Sequence, residues 1–265
     1  MGKVRSLRAA ATFVDRVGIA LVFPKPDVVL PSLYEAMAGP GPIRWMEELE
    51  DGKAVLTDEV ARLWGWKDEL AAERLVCAGK HVRGWPSLVS LPILSSLYAL
   101  TERPGTAEDF RAANLSPLED EVAEVVREQA PVSSREIRLA LGVKDTRAVN
   151  RALDALQRML ILTRAGTIEQ EQGWPGTAYD ILARRYADDL RRIPRPEEAR
   201  ANLARVVLKV VGDLSAADLA AALGFRRAAA ADALDRLADE GSARPRQEEG
   251  VTIWVTARAR PARTR

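Results

Sequence analysis

A chain of 265 residues with 47% hydrophobic and 29% charged side chains has the make-up of a soluble globular protein with about two or three domains, not of a disordered or membrane-embedded one. Lys and Arg (39) nearly balance Asp and Glu (38), which excludes a bulk polycation, so any affinity for nucleic acid must come from local patches. The single cysteine, Cys77, excludes an intramolecular disulfide and a Cys-rich zinc module.

That cysteine usage fits a reducing, cytoplasmic setting. The N-terminus, Met1 to Arg5, is not followed by an apolar run of signal-peptide quality. The best apolar stretch, Leu88 to Leu100, is too short to span a bilayer and contains serines and a proline. The expectation is a cytoplasmic protein with no membrane association.

In chain order, residues 7–15 read as a helix and Val17 to Phe23 as a strand or buried segment, broken by Pro24, Pro26 and Pro31. Ser32-Leu33 opens a short helix to Met37, and Gly39-Pro40-Gly41-Pro42 is a loop. Thr57 is placed to cap a helix whose first turn is acidic, Asp58-Glu59, and which reaches Trp64 and Trp66. A separate amphipathic helix is expected over Asp68 to His81, and an apolar one over Leu88 to Thr101. Pro104-Gly105 closes a mostly helical N-terminal domain, residues 1–113.

The C-terminal half contains one pattern twice, from about Leu115 to Tyr186 and from Glu197 to Thr256. Each copy is a helix, a Ser-capped helix ending in Gly, a third helix with polar residues at its start, and a β-hairpin. In the first copy Ser116-Pro117 starts helix one, Ser133 caps helix two with Glu136 as its capping-box partner, and Gly142 stops it. Helix three covers Thr146 to Leu160, burying Val149, Leu153 and Leu156. Ile161 to Arg164 and Ala178 to Leu182 form the hairpin. In the second copy Ser215 caps helix two, Gly224 ends it, helix three covers Arg226 to Asp239, and Val251 to Thr256 alternates as a return strand.

This is the order of a winged helix, a module used to place one helix in the DNA major groove. The expected architecture is mainly α with small β-hairpins (α+β): winged helices at 114–192 and 197–258, joined by the Ile193-Pro194-Arg195-Pro196 linker, with a basic tail at 259–265.

The exposed start of helix three offers Lys144, Thr146, Arg147, Asn150 and Arg151 in the first copy, where Asn and Arg suit bidentate contacts to adenine and guanine. The second copy offers Arg226 and Arg227 followed by alanines, and the tail adds Arg258 and Arg260. The wings point the other way. Glu169-Gln170-Glu171-Gln172-Gly173-Trp174 and Gln247-Glu248-Glu249-Gly250 are acidic, which suits a protein partner better than phosphate.

Trp64-Gly65-Trp66-Lys67-Asp68 reads either as core tryptophans before a helix start or as a base-stacking platform of Trp64 and Trp66, with Lys67 and Asp68 as groups for chemistry. Glu73, Cys77 and His81 fall on one face of the expected helix, but with one Cys and one His no metal site or catalytic triad is expected. No cofactor is implied, because no Gly-rich phosphate loop occurs.

The segments FVDRVGIALVFPKPDVVLPSLYEAMAG and WGWKDELAAERLVCAGKHVRGWPSLVSLPILSSLYAL, most specifically their Trp-x-Trp-Lys-Asp, resemble bacterial winged-helix relatives of the AlkZ/YcaQ interstrand-crosslink DNA glycosylases. The resemblance implies winged helices assembled around a DNA channel, a degenerate winged helix within residues 1–113, and a role in DNA repair. Those glycosylases carry a Gln-x-Gln motif in their first winged helix. Here Gln170-Glu171-Gln172 lies in the wing of a later module, so no catalytic role is carried onto it.

The leading expectation is a protein that binds double-stranded, including damaged, DNA in repair or maintenance. The alternatives are a glycosylase acting on alkylated or crosslinked bases, and a protein-interaction scaffold. Sequence alone leaves open the oligomeric state and whether both modules meet one duplex.

Overall fold

The computed structural model describes residues 3–49, 52–170 and 174–257, and no helix among them is long and apolar enough to cross a membrane. The first unit begins with α1 (Leu7–Val17), whose cap Ser6 accepts a hydrogen bond from the Ala9 amide. It continues through β1 (Ile19–Leu21), α2 (Leu33–Ala38), the hairpin β2 (Met46–Glu48) and β3 (Ala54–Leu56), α3 (Asp58–Ala72), then β4 (Cys77–Val82) and β5 (Trp85–Val89). Strand β5 lies between β1 and β4 in an antiparallel sheet. Helix α4 (Leu91–Ala99) follows.

The structure corrects four expectations in this unit. A single helix, α3, runs through the Trp-Gly-Trp-Lys-Asp segment, where the sequence predicts two helices meeting near Asp68. It ends at Ala72 with Glu73 as its C-cap, and Arg74 adopts a positive φ. Residues 77–82 are a strand, so Glu73, Cys77 and His81 share no helical face. Leu88 and Val89 belong to β5, not to the helix after it. Thr57 precedes α3 but does not cap it, because its hydroxyl donates to the Arg44 carbonyl at 2.7 Å. The cause of the strand errors is two-sided burial: β4 is covered on both faces and carries Gly79, Lys80 and His81 in its middle, so it lacks the period of two that marks a half-exposed strand.

The second unit comprises α5 (Pro117–Gln129), β6 (Val132–Ser133), α6 (Ser134–Ala140), α7 (Thr146–Arg158), β7 (Leu162–Ile168), β8 (Gly176–Ile181) and the short α8 (Leu182–Arg185). The third comprises α9 (Pro196–Val211), β9 (Asp213–Ser215), α10 (Ala216–Leu223), α11 (Arg227–Asp239), β10 (Ala243–Glu248) and β11 (Val251–Thr256). Each sheet has the same order as that of the first unit, with the last strand central: β6-β8-β7 and β9-β11-β10.

Ser133 accepts from the Glu136 amide at 3.3 Å while the Glu136 carboxylate accepts from the Ser133 amide at 2.7 Å. Ser215 and Asp218 repeat this reciprocal cap. Gly142 and Gly224 end α6 and α10 at φ values of 65° and 77°, which an L side chain rarely adopts.

The units are fused through shared cores. Ile19, Leu94, Leu182, Leu203 and Leu234, drawn from all three, lie in one buried cluster. After α4 the chain is pinned by Asp109, which accepts from the Tyr98 hydroxyl at 2.6 Å and the Gly105 amide at 2.8 Å and pairs with Arg103 at 3.4 Å. Arg103 in turn donates to the Met159 carbonyl just beyond α7, tying the first unit to the second.

The β4–β5 hairpin forms a second seam. Thr163 of β7 donates its hydroxyl to the Ala78 carbonyl at 2.9 Å. Lys80 pairs with Asp154 of α7 at 2.6 Å, and its amide donates to the Gln157 side chain at 3.2 Å. His81 Nδ1 lies 3.0 Å from the Gln157 carbonyl and so carries the proton it donates, which leaves Nε2 buried without a partner. The ring lies over Gly79, where a Cβ would sit 2.5 Å from Nε2.

Both seams can be tested by substitution. Asp109→Ala strands the buried Arg103 guanidinium and should cost about 3–5 kcal/mol in denaturant unfolding. A loss under about 1 kcal/mol, on the scale of an exposed pair, would show that this network does not hold the units together.

Burial lowers the His81 pKa to about 4 from its ordinary 6.5. The unfolded chain therefore takes up a proton that the folded one refuses. The stability from keeping this ring neutral is complete above pH 6.5 and is lost as pH falls toward 4. In His81→Gln the fall in stability across that window should be shallower than in the parent. Parallel curves would sink the assignment.

Candidate nucleic-acid interface

Helix α7 is held by its apolar face, where Val149, Leu153 and Leu156 are buried. Its opposite face is thereby fixed toward solvent. Asp145 caps it by accepting from the Arg147 amide at 2.8 Å, which orients the first turn. Lys144, Thr146, Arg147, Asn150 and Arg151 are all exposed at this end. Arg151 has only a 3.9 Å approach to Asp145, with both side chains mostly in water. The cations are therefore open to a ligand.

In the third unit Arg226 and Arg227 are exposed at the start of α11, and Ala228 and Ala229 follow. Arg258 and Arg260 lie outside the described residues. Of the first wing, Glu169 is exposed and Trp174 is 89% exposed, while Glu171, Gln172 and Gly173 lie outside the described residues. The second wing is exposed throughout, and Glu248 is paired with Arg246.

The two tryptophans of α3 take different positions. Trp66 is half-buried against the first unit's core, whereas Trp64 is 49% exposed. Trp64 belongs to a ring cluster around Phe23, whose centroid lies 5.9 Å from Trp64 and 4.7 Å from Trp45. Sequence reading missed Phe23 and Trp45. The Asp51-Gly52 turn signal between Trp45-Met46-Glu47-Glu48-Leu49 and Ala54-Val55-Leu56 could have revealed the β2–β3 hairpin next to Trp45. Around the rings, Met46, Leu49 and Leu56 are also exposed.

Lys67 places its ammonium 5.1 Å from the Trp64 ring and 2.6 Å from Asp68. Burial lowers its pKa and the Asp68 carboxylate opposes the shift. The other Asp68 oxygen lies 3.7 Å from Arg164 of β7 and is buried without a hydrogen bond. Asp68 thus faces two cations, Lys67 and Arg164, beneath the surface.

The thiol of Cys77 is no nucleophile near neutral pH, since burial pushes its pKa up to about 12. Among the described residues no group of His, Cys, Asp and Glu is arranged to hold a metal ion. In the sequence no glutamine precedes Gln129, so the first unit has none at all.

By structure the chain is similar to the DNA glycosylase AlkZ of Streptomyces sahachiroi, with a TM-score of 0.54 over 93% of this chain at 15% identity. That likeness speaks to the fold, and the chain spans 64% of the length of that protein. The DIP2311 protein of Corynebacterium diphtheriae aligns with 80% of this chain and 33% of its own at 18% identity, with a TM-score of 0.21. No curated protein matches. The model of the family described as "AlkZ related" matches residues 4–224, through nearly all of the first unit, the whole of the second and into the third as far as α10. The chain belongs to the AlkZ-related family.

Proposed function

We propose that the protein binds double-stranded DNA and serves DNA repair or maintenance. The observation that carries this is the start of α7, where Lys144, Thr146, Arg147, Asn150 and Arg151 are exposed on a helix fixed by its buried face. Membership of the AlkZ-related family supports the repair context, since the neighbour it resembles in fold is named a DNA glycosylase.

Arg147 and Arg151 supply charge to phosphates or guanine edges, and Asn150 can read adenine. Binding should therefore weaken steeply with salt. Arg147→Ala with Arg151→Ala should lower duplex affinity by roughly tenfold or more near physiological salt, given the cost of losing two phosphate contacts. Unchanged affinity would remove α7 from the interface. A wild-type protein with no DNA affinity even at low salt would favour the scaffold reading, for which Trp45, Met46 and Leu49 provide an exposed apolar surface.

The second reading, base excision, is favoured by the half-exposed Trp64 ring beside Lys67 and Asp68. The engagement of Asp68 by Lys67 and Arg164 and the lack of glutamine in the first unit favour binding without cleavage. Alkylated and crosslinked duplexes incubated with the protein should accumulate no alkali-labile abasic sites. Abasic sites that form with the parent and vanish in Asp68→Asn would establish the glycosylase instead.

A further inference from the structure

The geometry points to one continuous row of arginines that crosses the third helices of the second and third units and carries a single DNA duplex. The inference rests on the DNA-binding reading above and answers whether both units meet one duplex. The row starts on α7, where Arg147, Arg151 and Arg158 fall at spacings of four and seven residues and so share one face. Over those eleven residues the helix advances roughly 16 Å at about 1.5 Å per residue.

At its far end the row does not stop. The turn between β4 and β5 is the two-residue loop Arg83-Gly84, both with positive φ (54° and 77°), as a type I′ hairpin requires. A Cβ at Gly84 would sit 3.1 Å from the Arg158 side chain, so the loop abuts α7. On its other side Arg83 donates to the Ala221 carbonyl at 2.7 Å, and its stem lies 3.4 Å from the Cβ position of Gly224. Arg226 and Arg227 follow Gly224 by two and three residues. The hairpin of the first unit is therefore the bridge by which the basic face of α7 reaches the basic start of α11.

The charges along this row are available. Arg83, Arg147, Arg158, Arg226 and Arg227 are exposed and have no ion-pair partner among the described residues. Elsewhere Arg111, Arg127, Arg184, Arg191, Arg205 and Arg236 are each paired with a carboxylate. Of the acidic side chains on the row's path, Asp154 is paired with Lys80, Glu119 accepts from the Ser116 amide at 2.8 Å, and Asp145 accepts from the Arg147 amide at 2.8 Å with Arg151 3.9 Å away. Arg83 uses one of its five N–H donors on Ala221 and holds its guanidinium 5.2 Å from the Trp85 ring, which leaves donors for a phosphate. B-DNA presents about one negative charge per 1.7 Å of axis, so a row of this length meets several phosphates of one duplex.

The test is a titration of the full chain with a duplex of about 20 base pairs, which is two turns at about 10 per turn. Affinity is read at several salt concentrations and stoichiometry by sedimentation. Arg158→Ala should lower the slope of log Kd against log salt by about 1, and Arg226→Ala with Arg227→Ala by about 2, all in a complex of one duplex per chain. All three side chains are exposed and form no ion pair among the described residues, so the fold should be retained, as far-UV circular dichroism will show. Unchanged slopes in the Arg226/Arg227 variant while the α7 variants weaken binding would overturn the single track. So would two duplexes bound per chain. A parent that binds no duplex at all removes the proposed function itself, and this inference with it.

Discussion

The fate of the β4–β5 hairpin sets the rest of the molecule. Here β4 is buried on both sides, with Ala78 bonded to Thr163, Lys80 paired with Asp154, and His81 docked on Gln157. Its turn abuts Arg158 on one side and Gly224 on the other. The first unit uses this hairpin as an internal splint between the other two. This burial leaves an imidazole nitrogen with no partner, which is tolerable only while the ring stays neutral.

This splint decides which helices can meet a partner. The C-terminal half of α3 runs along β7, where Gly166 has no side chain and a Cβ would sit 2.9 Å from Ala72. Only a glycine admits the strand so close, and its φ of 112° disfavours other residues as well. The third helix of the first unit is thus partly covered by the second unit's hairpin. The starts of α7 and α11 remain open, and the turn that locks the assembly also places Arg83 between them. The turn Arg83-Gly84 takes part in both the assembly and the placement of charge.

The C-terminal units were legible because each local signal agreed with the next. Ser133 with Glu136, and Ser215 with Asp218, mark helix starts by a reciprocal cap that depends on residues three apart. Helices α7 and α11 face solvent on one side, so their apolar residues keep the helical period. The first unit lacks both aids around α3 and its sheet. Thr57 turns its hydroxyl to Arg44 and gives no cap, and β4 and the end of β5 are buried without alternation. Periodicity reports the contrast between a wet face and a dry one, and a strand enclosed by its neighbours offers none. The candidate site divides along the same line. Lys144 to Arg151 lie on one element and could be read in order, but Arg83 joins them only through contacts with Arg158 and Gly224, which are distant in sequence.

The near-neutral sum of charges conceals this arrangement. With 39 basic and 38 acidic residues, an even spread would leave no field able to steer a polyanion. Many carboxylates are instead held in pairs away from the row: Glu124 holds Arg111 and Arg127, Glu240 holds Arg205 and Arg236, and Asp180 holds Arg184. Each such pair is close to neutral from a distance, whereas Arg83, Arg147, Arg158, Arg226 and Arg227 are exposed without such a partner among the described residues. The acidic wings follow the same logic of position. Glu248 is tied to Arg246, and the wing that carries it extends from the hairpin end of the third unit, while Arg226 and Arg227 sit at the start of α11 beside Arg83. The grouping of Arg147, Arg158, Arg83, Arg226 and Arg227 on adjoining elements, more than the net charge, is what the proposed duplex would meet.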